Sequence, residues 1–113
     1  MRVSANYLVM PLLAASLFLA ACESVTIARI KADPSQFHSK TVAIRGTVVT
    51  SVGILSKGGY EVDDGTGRIF VITNQGVPSS GTRVVVEGTV FSGATVLGQA
   101  IGVAIRETKH HTG

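Results

Sequence analysis

One thiol, three imidazoles and seven carboxylates are the groups in this 113-residue chain that could carry nucleophilic, acid–base or metal chemistry. Their spacing argues against most of it. Cys22 is the only cysteine, so no internal disulfide can form. His38, His110 and His111 have neither metal-ligand spacing nor a nucleophile motif beside them, and the last two stand in "ETKHHTG", which reads as a solvated tail. The inventory predicts no enzyme, no bound metal and no cofactor. The stretch "EVDDGTGRIFVIT", residues 61–73, invites two sharper readings. "GTGRIF" begins like a dinucleotide-binding GxGxxG, but Phe70 stands where the third glycine belongs and a strand follows instead of a helix. "DDG" lacks the alternating oxygen ligands and the closing glutamate of a calcium loop. What remains is Arg68 and Phe70, a guanidinium and an aromatic plane on one strand face. Such a pair can stack on a base, a sugar or a partner side chain.

The elements that must position these residues are strands. "GGYEV" and "GRIFVIT" flank "DDGTG" with β-forming residues, which predicts a hairpin with Asp63 facing Arg68 and Glu61 facing Phe70. Val62, Ile69 and Val71 then point inward, and Tyr60 joins them by parity. Upstream, "TVAIRGTVVTSV" alternates Val42, Ile44 and Val48 against Ala43, Arg45 and Thr47. "TVAIRGTVV" (41–49) is echoed by "RVVVEGTVF" (83–91), each with a mid-strand glycine, Gly46 and Gly88. A strand glycine marks a bend, a bulge or a close backbone approach, and two long bent strands in a short chain suit a small closed barrel. A fifth strand in "LGQAIGVAIRE" should turn Ile101, Val103 and Ile105 inward. "NQGVPSSG" (74–81) is a loop, and "SVGILSKGG" (51–59) and "FSGATVLGQ" (91–99) read as long connections. Before the barrel, "DPSQF" predicts a short helical turn with Asp33 as N-cap, Pro34 at the first position and Gln36 as capping-box partner.

The front of the chain is an address. Arg2 precedes "YLVMPLLAASLFLAA", residues 7–21, an apolar run too short for a comfortable span of about 20 residues and interrupted by Pro11. The run ends in "LAAC", Leu19 to Cys22, which resembles the bacterial lipobox. That resemblance implies a signal peptide over 1–21, cleavage between Ala21 and Cys22, and fatty acylation of Cys22, including palmitate-type chains on its new amino group. Several acyl chains at about 0.8 kcal/mol per buried methylene give stable anchoring, so membrane contact is through lipid. No Asp follows Cys22 to retain the protein at an inner membrane, and the expected location is the cell envelope, on the outer membrane facing the periplasm. Without Arg2, nine Lys and Arg oppose seven Asp and Glu in the mature chain, a balance of only +2. That is no nucleic-acid footprint.

The phrases "VAIRGTVV", "YEVDDGTGRIFVIT" and "GTRVVVEGTV", with the lead-in Ile27 and Ile30 and the "DPSQF" turn, resemble small bacterial OB-fold domains, including exported and lipid-anchored ones. The "V-DDGTG-I-V" phrase is similar to the second-to-third-strand hairpin of tRNA-anticodon-type OB domains. The implied architecture is all-β: a five-stranded OB-fold Greek-key barrel with a short N-terminal helical turn, preceded by a cleaved signal peptide. Its parts are a lipidated N-terminus and tether over 22–32, the barrel over 33–107 and a flexible tail over 108–113. "NQGVPSSG" stands where OB domains commonly carry a helix.

OB folds bind through the face of their second and third strands. Here that face would show Glu61, Arg68 and Phe70, with Asp63 beside them and Arg45 and Lys57 nearby. Either Phe70 and Arg68 receive a ligand, or Phe70 covers a barrel edge while Arg68 pairs with Asp63. The expected activity is non-catalytic binding or assembly in the envelope, with a protein, a glycan or a small ligand as partner. The alternative is single-stranded nucleic acid, which the acidic residues on that face and the few aromatics disfavour.

Overall fold

A computed structural model describes residues 23–54, 57–96 and 98–113. The expected signal peptide, its cleavage at Ala21 and the expected lipid anchor at Cys22 lie outside the described residues.

Alternation of apolar and polar residues produces the strands, and two long ones close the barrel. β2 (Thr41–Ile54) pairs antiparallel with β5 (Arg83–Val96) through its first half, Thr41↔Thr89 to Thr47↔Arg83. Its second half pairs with β3 (Lys57–Asp63), from Thr47↔Asp63 to Ile54↔Lys57. β3 turns into β4 (Arg68–Thr73), which runs parallel to β6 (Gln99–Thr112), and β6 returns to β5. The order β2-β3-β4-β6-β5, closed by the β2–β5 pairing, is the five-stranded OB barrel. A two-residue strand, β1 (Glu23–Ser24), adds in parallel to β2.

Gly46 and Gly88 allow the bends. A Cβ on Gly46 would lie 2.5 Å from the Asp63 carbonyl oxygen, and one on Gly88 would lie closer still to the Arg106 oxygen. Inside, Val42, Ile44 and Val48 meet Tyr60, Val62, Ile69, Val71 and Ile105, all buried.

The barrel begins earlier than expected. Residues 23–32 are no tether: β1 is paired, and α1 (Ile27–Ala32) buries Ile27 and Ile30 completely. These two residues, three apart, share one helix face and join Phe37 of α2 (Pro34–Phe37) in the core. Asp33 precedes α2 with Pro34 at its start, but its side chain caps no backbone group and accepts from Ser35 Oγ at 2.9 Å instead.

The chain end also differs from expectation. Residues 108–112 are strand, because β6 continues to Thr112 against Val84–Glu87 of β5. Gly88 opposes Glu107 while Glu87 opposes Lys109, so Thr108 is the extra residue of a bulge. The expected connections 51–59 and 91–99 are largely ribbon, since β2–β3 pairing extends to Ile54↔Lys57 and β5–β6 pairing to Val96↔Gln99. In that outer ribbon the register shifts, and Ile101 and Val103 are only half-buried while Ala104 and Ile105 are both buried.

The segment 74–82 closes the side where a helix commonly sits. Ser51 Oγ donates to the Pro78 oxygen at 2.6 Å, Ser80 Oγ to the Val49 oxygen at 2.9 Å, and Val77 packs against the core.

Candidate binding face

The hairpin register places the outward side chains. Asp63 faces Arg68 and Glu61 faces Phe70, as the alternation predicts, and Val62, Ile69, Val71 and Tyr60 are buried. Continuing across the sheet, Phe70 opposes Ala104 of β6, which opposes Phe91 of β5. One row further, Ile72 opposes Arg106, which opposes Thr89. The outward surface of β4, β6 and β5 is therefore a strip with half-buried Phe70 and Phe91 on either side of a buried Ala104. Strands lie about 4.8 Å apart, so the two rings are rooted about 10 Å from each other. The Arg106 guanidinium lies 4.7 Å from the Phe91 ring centroid, a cation–π contact.

Phe70 is already engaged on one flank. A Cβ on Gly59 would collide with its ring, so the ring lies over that glycine and shields bare backbone. Arg68, 57% exposed, binds Asp63 through Nε at 3.1 Å. An exposed pair of this kind is worth about 0–1 kcal/mol. Thus Glu61, Arg68 and Phe70 share the expected face, and the cation–π contact on this surface is made by Arg106 with Phe91, not with Phe70. Lys57 is paired in the β2–β3 ribbon opposite Ile54. Arg45 sits on the neighbouring wall, opposite Val85, lining a concavity with Asp63, Asp64 and Arg83. The sequence set Phe91 at the junction of the strand phrase 83–91 and the connection 91–99 and gave neither it nor Arg106 a place on the face. Parity from buried Val86 and Val90 would have turned Phe91 outward.

The "DDGTG" turn is occupied with structure. Asp64 Oδ2 accepts from Ile27 N at 2.9 Å, Thr66 Oγ1 accepts from Ala28 N at 3.1 Å, and Thr26 Oγ1 accepts from Arg29 N at 3.3 Å. Three of the amides left bare at the start of α1 are thereby satisfied. Burial alone would raise the Asp64 pKa, but hydrogen bonds from Thr66, Ile27 and Gly67 outweigh it and hold the carboxyl below its ordinary value.

A second polar group lies inside the barrel. The Glu107 side chain is fully buried and accepts from Tyr60 Oη, from Thr73 Oγ1 at 2.8 Å and, through Oε1, contacts His110 Nδ1 at 2.7 Å. Tyr60 and His110 also meet edge to face, centroids 5.8 Å apart. Burial first, then the Glu107 carboxylate, raises the Tyr60 pKa far above its ordinary value. No group of three or more His, Cys, Asp or Glu placed to hold a metal is present among the described residues.

The chain matches no protein-family model and no curated protein in sequence. In structure it is similar to an asparaginyl-tRNA synthetase from Pyrococcus horikoshii, with TM-score 0.62 and 20% identity over 78% of this chain and 22% of that one. It is also similar to an asparaginyl-tRNA synthetase from Entamoeba histolytica, with TM-score 0.60 and 11% identity over 80% and 23%. A third neighbour is OBody AM3L09 bound to hen egg-white lysozyme, with TM-score 0.55 and 21% identity over 68% and 84%. The fold is OB. The chain spans about a fifth of the synthetases' length, and at these identities the likeness carries the fold alone.

Proposed function

We propose that this protein is a lipid-anchored, non-catalytic binding module of the bacterial cell envelope that holds a protein or glycan partner on the Phe70–Phe91 face. The observation that carries the reading is the outward strip of Phe70, Ala104 and Phe91 with Arg106 across β4, β6 and β5. Two half-exposed rings, a small apolar residue between them and one guanidinium suit the aromatic and Arg anchors that concentrate binding energy at interfaces. An OB barrel solved with lysozyme as its partner supports a protein ligand for such a scaffold. The "LAAC" sequence supports the compartment, with Cys22 on the outer membrane and the barrel in the periplasm. Single-stranded nucleic acid is the second reading, favoured by two outward rings beside a guanidinium and opposed by Glu61 and Asp63 on the same surface.

Two experiments test this. Crosslinking of the protein in its native envelope, followed by mass spectrometry of proteins and glycans, should recover a partner that Phe91→Ala and Arg106→Ala lose at unchanged thermal stability. Capture that persists in both variants removes the face from consideration, and salt-sensitive binding of oligonucleotides without an envelope partner promotes the second reading. Separately, Cys22→Ser should accumulate unprocessed; normal cleavage sinks the lipid anchor.

A further inference from the structure

We infer a second site, an anion cradle for a phosphate group, on the wall of β2, β5 and β6 that lies away from the Phe70–Phe91 face. In the β2–β5 ladder Arg45 opposes Val85 and Thr47 opposes Arg83, and in the β5–β6 ladder Val85 opposes His111. Diagonal neighbours on such a ladder are about 7–8 Å apart on one face, which brings Arg45 and Arg83 together over half-buried Val85. Two exposed like charges in this position repel each other. Among the described residues no carboxylate, that of Gly113 included, comes within ion-pair distance of either guanidinium.

The nearest acids are committed elsewhere. Asp63 holds Arg68 and the Gly65 amide, Asp64 caps α1, and Glu87 holds Lys109 at 3.5 Å. Arg45 and Arg83 also line two adjoining concavities of about 290 and 350 Å³, the first shared with Val85, His111 and Gly113 and the second with Asp63 and Asp64. The first takes a phosphate group with its nearest substituents. Arginine forks match phosphate oxygens bidentately, and two of them balance a dianion. His111 adds a third donor at the rim.

Two sources offer such a ligand. β1 pairs in parallel with β2 at Glu23↔Val42 and Ser24↔Ala43, so towards its N-terminal end it runs alongside the start of β2, away from Arg45. A phospholipid headgroup and a soluble phosphate share the phosphate oxygens that the arginine forks read, the diester with one negative charge and the free ion with up to two, and only the headgroup source rests on the lipid-anchor reading.

The test uses the full chain in maltoside micelles, which contain no phosphate, with nitrogen-15 and methyl NMR reporting on the arginine Nε–H, Val85 and His111 signals. Inorganic phosphate is titrated in one arm at constant ionic strength, and phosphatidylglycerol is added to the micelles in the other. The proposal expects saturable shifts confined to Arg45, Arg83, Val85 and His111. Arg83→Gln should weaken the response at Val85 and His111 by about tenfold, with Arg45→Lys showing a smaller loss because it keeps charge without the fork. Response to inorganic phosphate assigns a soluble ligand, and response to phosphatidylglycerol alone assigns the headgroup. Silence in both arms, or shifts spread evenly over the exposed lysines and unchanged in Arg83→Gln, overturns the cradle. The phosphate arm stands whether or not Cys22 proves to be lipidated.

Discussion

Glu107 and Asp64 are the two carboxylates on which the barrel leans, and they do so from opposite solvent conditions. Glu107 is sealed inside and receives Tyr60, Thr73 and His110, so removing it leaves several buried donors without a partner. Glu107→Ala should cost about 3 kcal/mol, and Glu107→Gln less, measured by urea unfolding at neutral pH. Tyr60 keeps its proton in the folded state to a pH at which the unfolded side chain, with an ordinary pKa of about 10, has lost it. Stability should therefore fall as pH rises above that value, and Tyr60→Phe should remove this alkaline slope. Asp64 works in the other direction: its folded pKa is depressed, so its contribution is present above about pH 4 and is lost as pH falls through the folded value. Asp64→Ala should cost about 1 kcal/mol at neutral pH and flatten the acid limb of the same measurement. The facing of Asp63 and Arg68 was legible because hairpin parity is local. The tie from Asp64 to Ile27 was not, because 37 residues separate the carboxylate from the amide it caps and nothing in "DDGTG" announces a helix elsewhere.

At the level of elements, the repeated Gly-Thr-Val phrases told the most, since a glycine within an otherwise apolar strand has few uses. Gly46 and Gly88 both sit where the carbonyl of a neighbouring strand leaves no room for a Cβ, and each lies in a strand that serves two partners. Gly46→Ala or Gly88→Ala should force the strands apart and cost about 1–3 kcal/mol or more, read as a lowered thermal midpoint. Gly65→Ala is the control. Its backbone φ of +88° disfavours a side chain, but nothing lies within 4 Å of the added carbon, so the loss should stay near 1 kcal/mol. The two ends of the domain were misjudged for different physical reasons. α1 is short and its apolar signal is only Ile27 and Ile30, so its stability comes from docking, which a local pattern does not carry. The end of β6 reads as polar because "ETKHHT" alternates imperfectly. The Thr108 bulge resets the parity and turns His110 inward onto Glu107 and Tyr60, making a strand of what looked like a tail.

For the whole molecule the consequence is a barrel with two outward walls of different character. One carries Phe70, Phe91 and Arg106, and the other carries Arg45, Arg83 and His111. β5 and β6 contribute to both, and among the described residues no ion pair or cation–π contact joins the two sets. Closure makes the barrel stiff and leaves substitutions on either surface little route to disturb the other, since effects at well-separated sites add. A pair of variants follows from that arrangement. Phe91→Ala with Arg106→Ala should abolish partner capture and leave the NMR response to phosphate at its original strength. Arg45→Gln with Arg83→Gln should erase the phosphate response and leave capture intact at equal protein density. The four states, parent, each double variant and their combination, measured by crosslinking yield and phosphate titration, should show additive losses. If losing the arginines also cuts capture from native envelopes but not from detergent solution, the two walls act in series, with the anion cradle seating the barrel on the bilayer so that the aromatic wall meets its partner.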